Sequence, residues 1–352
     1  MNVTLKVFGE LKKVMLNIIS RSVVSTHSRG PRKVVASLLK GLDEIGYPYV
    51  VNAALDATDT LWIHDDKAAL EAALSLPGER AIIAGPNIYT LPSEVPGSVL
   101  DKRVLFLQPA VWVQEFWNTF SLDKINTVVW PVGIDTKNFS PDLTAKKDLV
   151  LVYNKQRSDT DMKAVCAALD AHGERYEELT YGKYTESQYQ NLLQRAQAVV
   201  WVGRSESQGI GLLEALSMNV PVLVWDVTKL GDFVGAEASG FSAEQLAFTP
   251  VTAAPYFDER CGMRFVARED LDNSLRVFLE SLHTYSPRSY VESELPLGKQ
   301  ATALLDLFKT HFNISDSSLK DTALKSPKRW QNGTLCFKCL TRLKDAIRQI
   351  IR

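Results

Sequence analysis

The feature that most restricts this chain is an alternation, present twice, of short β-branched runs with amphipathic helical stretches. Alternation of that kind builds a parallel sheet, because parallel neighbours need a crossover and the crossover helices cover the sheet's faces. The first copy runs from about Val14 to Pro131: a strand over 14–20, a loop over 21–31, then a helix over 32–45 that sets Val35, Leu38, Leu39 and Leu42 on one face. Later strands are expected at 47–52, 60–64, 81–84 and 104–107, each short and apolar as strands buried on both faces are. The second copy starts at Asp148, with strands at 149–153, 176–179, 198–202 and 220–225 and helices at 160–171, 186–195 and 211–218. Helical periodicity returns at 271–282, 299–312 and 335–351.

Between the copies, Trp130 to Pro141 is rich in turn formers and lacks periodicity, which marks a domain boundary. A length of 352 residues suits two domains, each with its own core. The expected division is 1–134, 135–312 and a tail over 313–352. Apolar residues at 45% and charged residues at 23% exclude a disordered or fibrous chain. No apolar run approaches the roughly 20 residues that span a bilayer, and Val14–Ile19 is followed by no leader-like cleavage site, so the expectation is a cytoplasmic protein.

The net charge of −1 hides an asymmetry: 319–352 holds nine basic residues and two acidic ones, an excess of seven positive charges. Within it, 335–351 places Phe337, Leu340, Leu343, Ile347 and Ile350 along one face, with Lys338, Arg342, Lys344 and Arg348 around it. A basic amphipathic helix of this kind fits peripheral contact with an anionic membrane or packing back onto the fold; its interleaved apolar face argues against nucleic acid. Cys336 and Cys339 form a lone CxxC, read as two small residues on one helix face rather than a metal site.

Chemistry concentrates in Glu206-Ser-Gln-Gly-Ile-Gly-Leu-Leu-Glu214. A strand precedes it and a helix follows, so free backbone N–H groups at the helix start face the strand's carboxyl end, an arrangement suited to phosphate. Gly209 and Gly211 keep side-chain bulk away, and the helix dipole favours the charge left on a departing diphosphate. Glu206 before the turn and Glu214 inside the helix can border one crevice, where carboxylates accept hydrogen bonds from sugar hydroxyls. No Gly-x-Gly-x-x-Gly follows an early strand, which disfavours a dinucleotide-dependent dehydrogenase.

The two glutamates separated by seven residues, with Glu-Ala at the second and Val-Pro-Val beyond, resemble the signature of the retaining glycosyltransferases of family 4. Val129 to Pro141 is similar to the family's interdomain segment, and Gly30 before a helix is similar to its acceptor-side glycine loop; the resemblance covers Arg21 to about Phe312. It implies a GT-B fold, two Rossmann-like α/β domains facing a central cleft, with a nucleotide-diphosphate sugar as donor and a glycan or lipid-linked acceptor. Glu206 would then contact the donor sugar and Glu214 the ribose, with Ser207, Gln208, Gly209 and Ile210 lining the donor and Tyr184 near the base. The family's Gly-Arg and following lysine are replaced by Asn154-Lys-Gln-Arg157 and Lys163. Lys155 matches the arginine by position, while Arg157 and Lys163 keep the spacing.

Gly30, Arg32, His64 and Asn87 are acceptor or cleft candidates, with Arg29 beside them. The plainer readings stay open: a solvated helix start for the cations, an exposed loop tyrosine for Tyr184, and a His64 that caps the next helix together with Asp65. The implied reaction is transfer of a hexose-type sugar with retention, in surface polysaccharide or lipopolysaccharide synthesis, with Lys155, Arg157 and Glu206 in the catalytic roles and neither metal nor cofactor. Another GT-B enzyme, such as an epimerase or an inverting transferase, and a non-catalytic sugar-nucleotide-binding subunit remain as alternatives.

Overall fold

The computed structural model describes residues 15–24 and 30–314. Arg29, Cys336, Cys339 and the basic stretch 335–351 lie outside the described residues. In the first half the chain runs β1 (Leu16–Ile19), α1 (Gly30–Ile45), β2 (Tyr49–Val51), β3 (Thr60–Ile63), α2 (Lys67–Ser75), β4 (Ala81–Ala84), β5 (Val104–Gln108), α3 (Val111–Phe120) and β6 (Thr127–Val129). These strands form one parallel sheet in the order β2-β1-β3-β4-β5-β6. The chain leaves β1 to one side and returns to its other side as β3, so the order reverses between them.

The second half runs β7 (Leu149–Lys155), α4 (Asp159–Ala171), β8 (Tyr176–Thr180), α5 (Glu186–Arg195), β9 (Ala196–Gly203), α6 (Ile210–Ser217), β10 (Val222–Trp225), α7 (Ala243–Leu246), β11 (Gly262–Phe265), α8 (Leu271–Glu280) and α9 (Pro287–Glu294). Its sheet is also parallel, in the order β11-β10-β9-β7-β8, with the reversal between β7 and β9. In open α/β sheets, the crevice outside the carboxyl ends at such a reversal is where ligands bind. Ser20 and His64 follow the two strands at the first reversal. Lys155 ends β7 and Glu206 lies three residues beyond β9 at the second.

Local chemistry accounts for the helix starts. Ser158 caps α4 by accepting from the Asp161 N–H, with Asp159 and Asp161 in the favourable first turn. Thr185 and Gln188 form a reciprocal capping box on α5. Asp66 caps α2 through the Ala69 N–H at 3.0 Å, so neither His64 nor Asp65 is the cap. Several expected elements extend beyond their predicted bounds, chiefly α1 at its start and β9 at both ends, whereas β4 and α5 match.

One helix departs from chain order. α10 (Leu297–Phe312) packs on the first half, where Ala301, Leu304, Leu305 and Phe308 share a core with Leu16, Ile18, Leu38 and Trp62. The chain therefore crosses between the halves twice. The crossings lie side by side, the Ile134 N–H donating to Leu295 O at 2.8 Å. Gly133 is required by this approach: a Cβ there would fall 2.7 Å from the Leu297 Cα. No helix among the described residues is long and apolar enough to cross a membrane.

Candidate functional site

α6 has only eight residues, and all from Leu212 to Ser217 are buried. So short a helix, buried along most of its length, is held by packing rather than by its own ladder, so its position is set by its surroundings. Gly209 precedes it with φ of 71°, a left-handed turn that glycine adopts without strain. Below its first turn lies an aromatic floor in which Tyr153 stacks flat on Trp201 at 4.1 Å between centroids. Gly211 lies over this floor, a Cβ there falling in ordinary contact at 3.5 Å from the Trp201 ring. The Tyr189 hydroxyl donates to the Gly211 carbonyl at 2.6 Å.

The two glutamates stand on either side of this helix start, and both are buried, Glu206 at 7% exposure and Glu214 at 4%. Each carboxylate has a lysine. Lys155 Nζ lies 2.6 Å from Glu206 Oε1, and the same ammonium sits 4.4 Å from the centre of the Tyr181 ring. Lys33, from α1 in the opposite half, reaches Glu214 Oε1 and lies 3.1 Å from Glu186 Oε2. Burial pushes the Glu214 carboxyl up to about 7 even though Lys33 pulls it down. The backbone of Glu206 is pinned as well: its N–H donates to Thr252 O and its carbonyl accepts from the Trp112 indole of α3, both at 2.9 Å.

Two polar atoms in this turn are buried without a partner, Ser205 Oγ and Gln208 Nε2. Gln208 uses its other end to accept the Val132 N–H at 3.3 Å, so it links the turn to the first interdomain crossing. Buried polar groups left unpaired cost about 1–3 kcal/mol each. Beside the helix start a cleft of about 150 Å³ is lined by Arg32, Lys33, Lys40, Phe139, Ile210 and Glu214, among others.

The remaining sequence candidates divide. Ser207 is exposed in the turn, and Gly30 and Arg32 are exposed at the start of α1, Arg32 on the cleft. Arg157 is committed elsewhere: its guanidinium is 3.2 Å from Asp161, donates to the carbonyls of Gly203 and Trp225, and stacks on the Trp225 ring. Lys163 is exposed on α4, and no ion pair among the described residues brings it to the glutamates. Tyr184 is half-buried rather than a free loop tyrosine; its hydroxyl bonds that of Tyr153 at 2.7 Å, and burial raises its phenol to about 12.

His64 is fully buried at the first reversal. One ring nitrogen meets Ser20 Oγ at 3.2 Å and the other meets Asn87 Oδ1 at 2.8 Å. Burial pushes the Asp65 carboxyl up, but the His64 ring 3.6 Å away and hydrogen bonds from Ser22 and the Arg21 N–H hold it well below the usual carboxylate range, and it completes the network.

The sequence reading missed Lys33, Tyr181 and Trp112. For Lys33 a signal existed: Lys33, Ser37 and Lys40 recur at helical spacing on the α1 face opposite Val34, Val35, Leu38 and Leu42, and all three line the cleft.

No protein-family model matches the chain, and no curated protein does. Solved structures do. Sucrose-phosphate synthase from Thermosynechococcus elongatus superposes with a TM-score of 0.55 at 11% identity, covering 86% of this chain and 100% of that one. The catalytic domain of starch synthase IV from Arabidopsis thaliana, bound to ADP and acarbose, gives 0.55 at 11%, covering 86% and 99%. HepE from Anabaena, in complex with UDP and glucose, gives 0.53 at 10%, covering 85% and 100%. At these identities the likeness is one of fold, and the fold is the expected one: two Rossmann-like α/β domains in the GT-B arrangement.

Proposed function

We propose that this chain is a retaining glycosyltransferase that moves a hexose-type sugar from a nucleoside-diphosphate sugar to a glycan or lipid-linked acceptor, in surface polysaccharide or lipopolysaccharide synthesis. The observation that carries the reading is a buried carboxylate on each side of the α6 start, each bound to a lysine, beside the unpartnered Ser205 Oγ and Gln208 Nε2. Solved structures of the same fold hold UDP or ADP, which supports a nucleotide donor here.

In this reading the diphosphate docks on the backbone N–H groups at the helix start, Glu206 accepts from sugar hydroxyls and Glu214 from the ribose. Lys155, already 2.6 Å from Glu206, takes the charge-neutralising role ahead of Arg157, whose guanidinium is committed to the carboxyl edge of its own sheet. As the bond from the anomeric carbon to the diphosphate breaks, its electron pair leaves with the phosphate oxygen. The acceptor hydroxyl adds on the same face, and its proton passes to that oxygen. Lys155 and the helix dipole stabilise the charge that develops, so the proposed transfer needs no metal or cofactor.

A thermal-shift panel of UDP, ADP, GDP and their glucose conjugates tests the donor half. A ligand at 100 times its Kd adds about 2.7 kcal/mol of apparent stability, a rise of several degrees. If none of them raises the melting temperature, the reading fails. The anomeric configuration of the isolated product tests retention separately.

A further inference from the structure

Lys33 is the contact by which the first half of the molecule reaches the donor carboxylates of the second. It lies 181 residues from Glu214 in the chain, on the cleft face of α1, a quarter exposed, with its ammonium bridging Glu214 Oε1 and Glu186 Oε2 and resting 5.3 Å from the Phe139 ring. Glu214 Oε2 takes no hydrogen bond among the described residues. A carboxylate offers about four lone-pair sites, so one oxygen fixed by Lys33 leaves the other for hydroxyls.

We infer that Lys33 is a positioning residue of the donor site: from the opposite half it fixes the Glu214 carboxylate, so that the ribose hydroxyls of a nucleoside diphosphate dock on an anion held by both halves. The inference rests on the donor reading above. One other charge opposes the anion, Glu186 on α5, while the neutral phenols of the half-buried Tyr184 and the buried Tyr189 lie close enough to feel its charge. Lys33 alone offsets burial, and without it the Glu214 carboxyl moves further toward the neutral form.

Calorimetric titration of UDP, ADP and GDP into the full chain, K33M and K33R at pH 6.5, 7.5 and 9 tests this, with E214Q and the K33M/E214Q double variant alongside. For the diphosphate that binds, K33M is expected to weaken binding at least tenfold at pH 7.5 and to lose less at pH 9, where more of the Glu214 carboxyl is ionised. K33R stays within about threefold of the parent, and adding K33M to E214Q changes little, because the two act through one contact. K33M equal to the parent at every pH overturns the inference and leaves the donor reading standing. So does a loss that pH does not relieve, or one that persists in the E214Q background, since either marks a general effect on folding. Failure of the parent chain to bind any of the three overturns the donor reading itself.

Discussion

The two halves each reverse strand order once, and the polar groups at the two reversals are used in opposite ways. At the first, the buried Ser20 hydroxyl, both His64 ring nitrogens and Asp65 find partners in one another, in the Asn87 side-chain carbonyl and in the Arg21 and Ser22 backbone. At the second, Lys155 and Glu206 pair beside a serine hydroxyl and a glutamine amide that are buried with no partner. Paired buried groups rigidify the fold, whereas a buried polar group left without a partner costs free energy until something pairs it. In the proposed reading, the same position in the same architecture serves as scaffold in one half and as a docking point in the other.

The sharpest way to break that contrast is Glu206→Ala. Turnover of the donor sugar is expected to fall by about two to three orders of magnitude, measured as nucleoside diphosphate released. Affinity for the nucleoside diphosphate alone should stay within a few-fold, because Glu206 is assigned to the sugar; a variant that still turns over would dissolve the distinction between the halves. Next in size is His64→Ala, which strips two partners from a fully buried network and should cost about 1–3 kcal/mol of stability in chemical denaturation. Nucleotide affinity should not move. If it does, the first reversal is part of the donor site after all.

The smallest effect is a pH dependence. A buried Glu214 whose carboxyl sits at about 7 makes the folded state prefer the neutral form. That favours folding below the ordinary carboxylate range and is lost as pH rises through 7. Glu214→Gln removes the dependence, so the melting temperature of the variant relative to the parent should climb between pH 5 and pH 8.5, by at most about 3 kcal/mol in free energy. A difference that stays flat with pH would mean that the carboxyl titrates as an ordinary exposed one.

Much of the fold was legible because buried parallel strands such as β4 are uniform apolar runs and helices such as α5 carry their own caps. Other elements had no local contrast. α2 builds its buried face from Leu70 and Ala73, alanine being common on exposed helix faces too, and α3 is dense in valine and aromatics that read equally as strand. The Glu206 and Glu214 turn could be read from the sequence, since a strand, a glycine turn and a helix follow one another within it. Lys33 and Trp112 could not be paired with it, because their partners lie 181 and 94 residues away and only the packing of the two halves brings them near. Arg157 fitted the required spacing, but a neighbouring acid, Asp161, one turn along claimed it.

The placement of α10 bears on how the molecule is made. Leu304, Leu305 and Phe308 complete a core begun by Leu16 and Ile18, almost three hundred residues earlier. During synthesis, the half that emerges first must wait, with apolar surface uncovered, until nearly all the described chain has left the ribosome. The first half thus has its whole sheet by Val129, yet its core is closed only after the strands of the second half have been made.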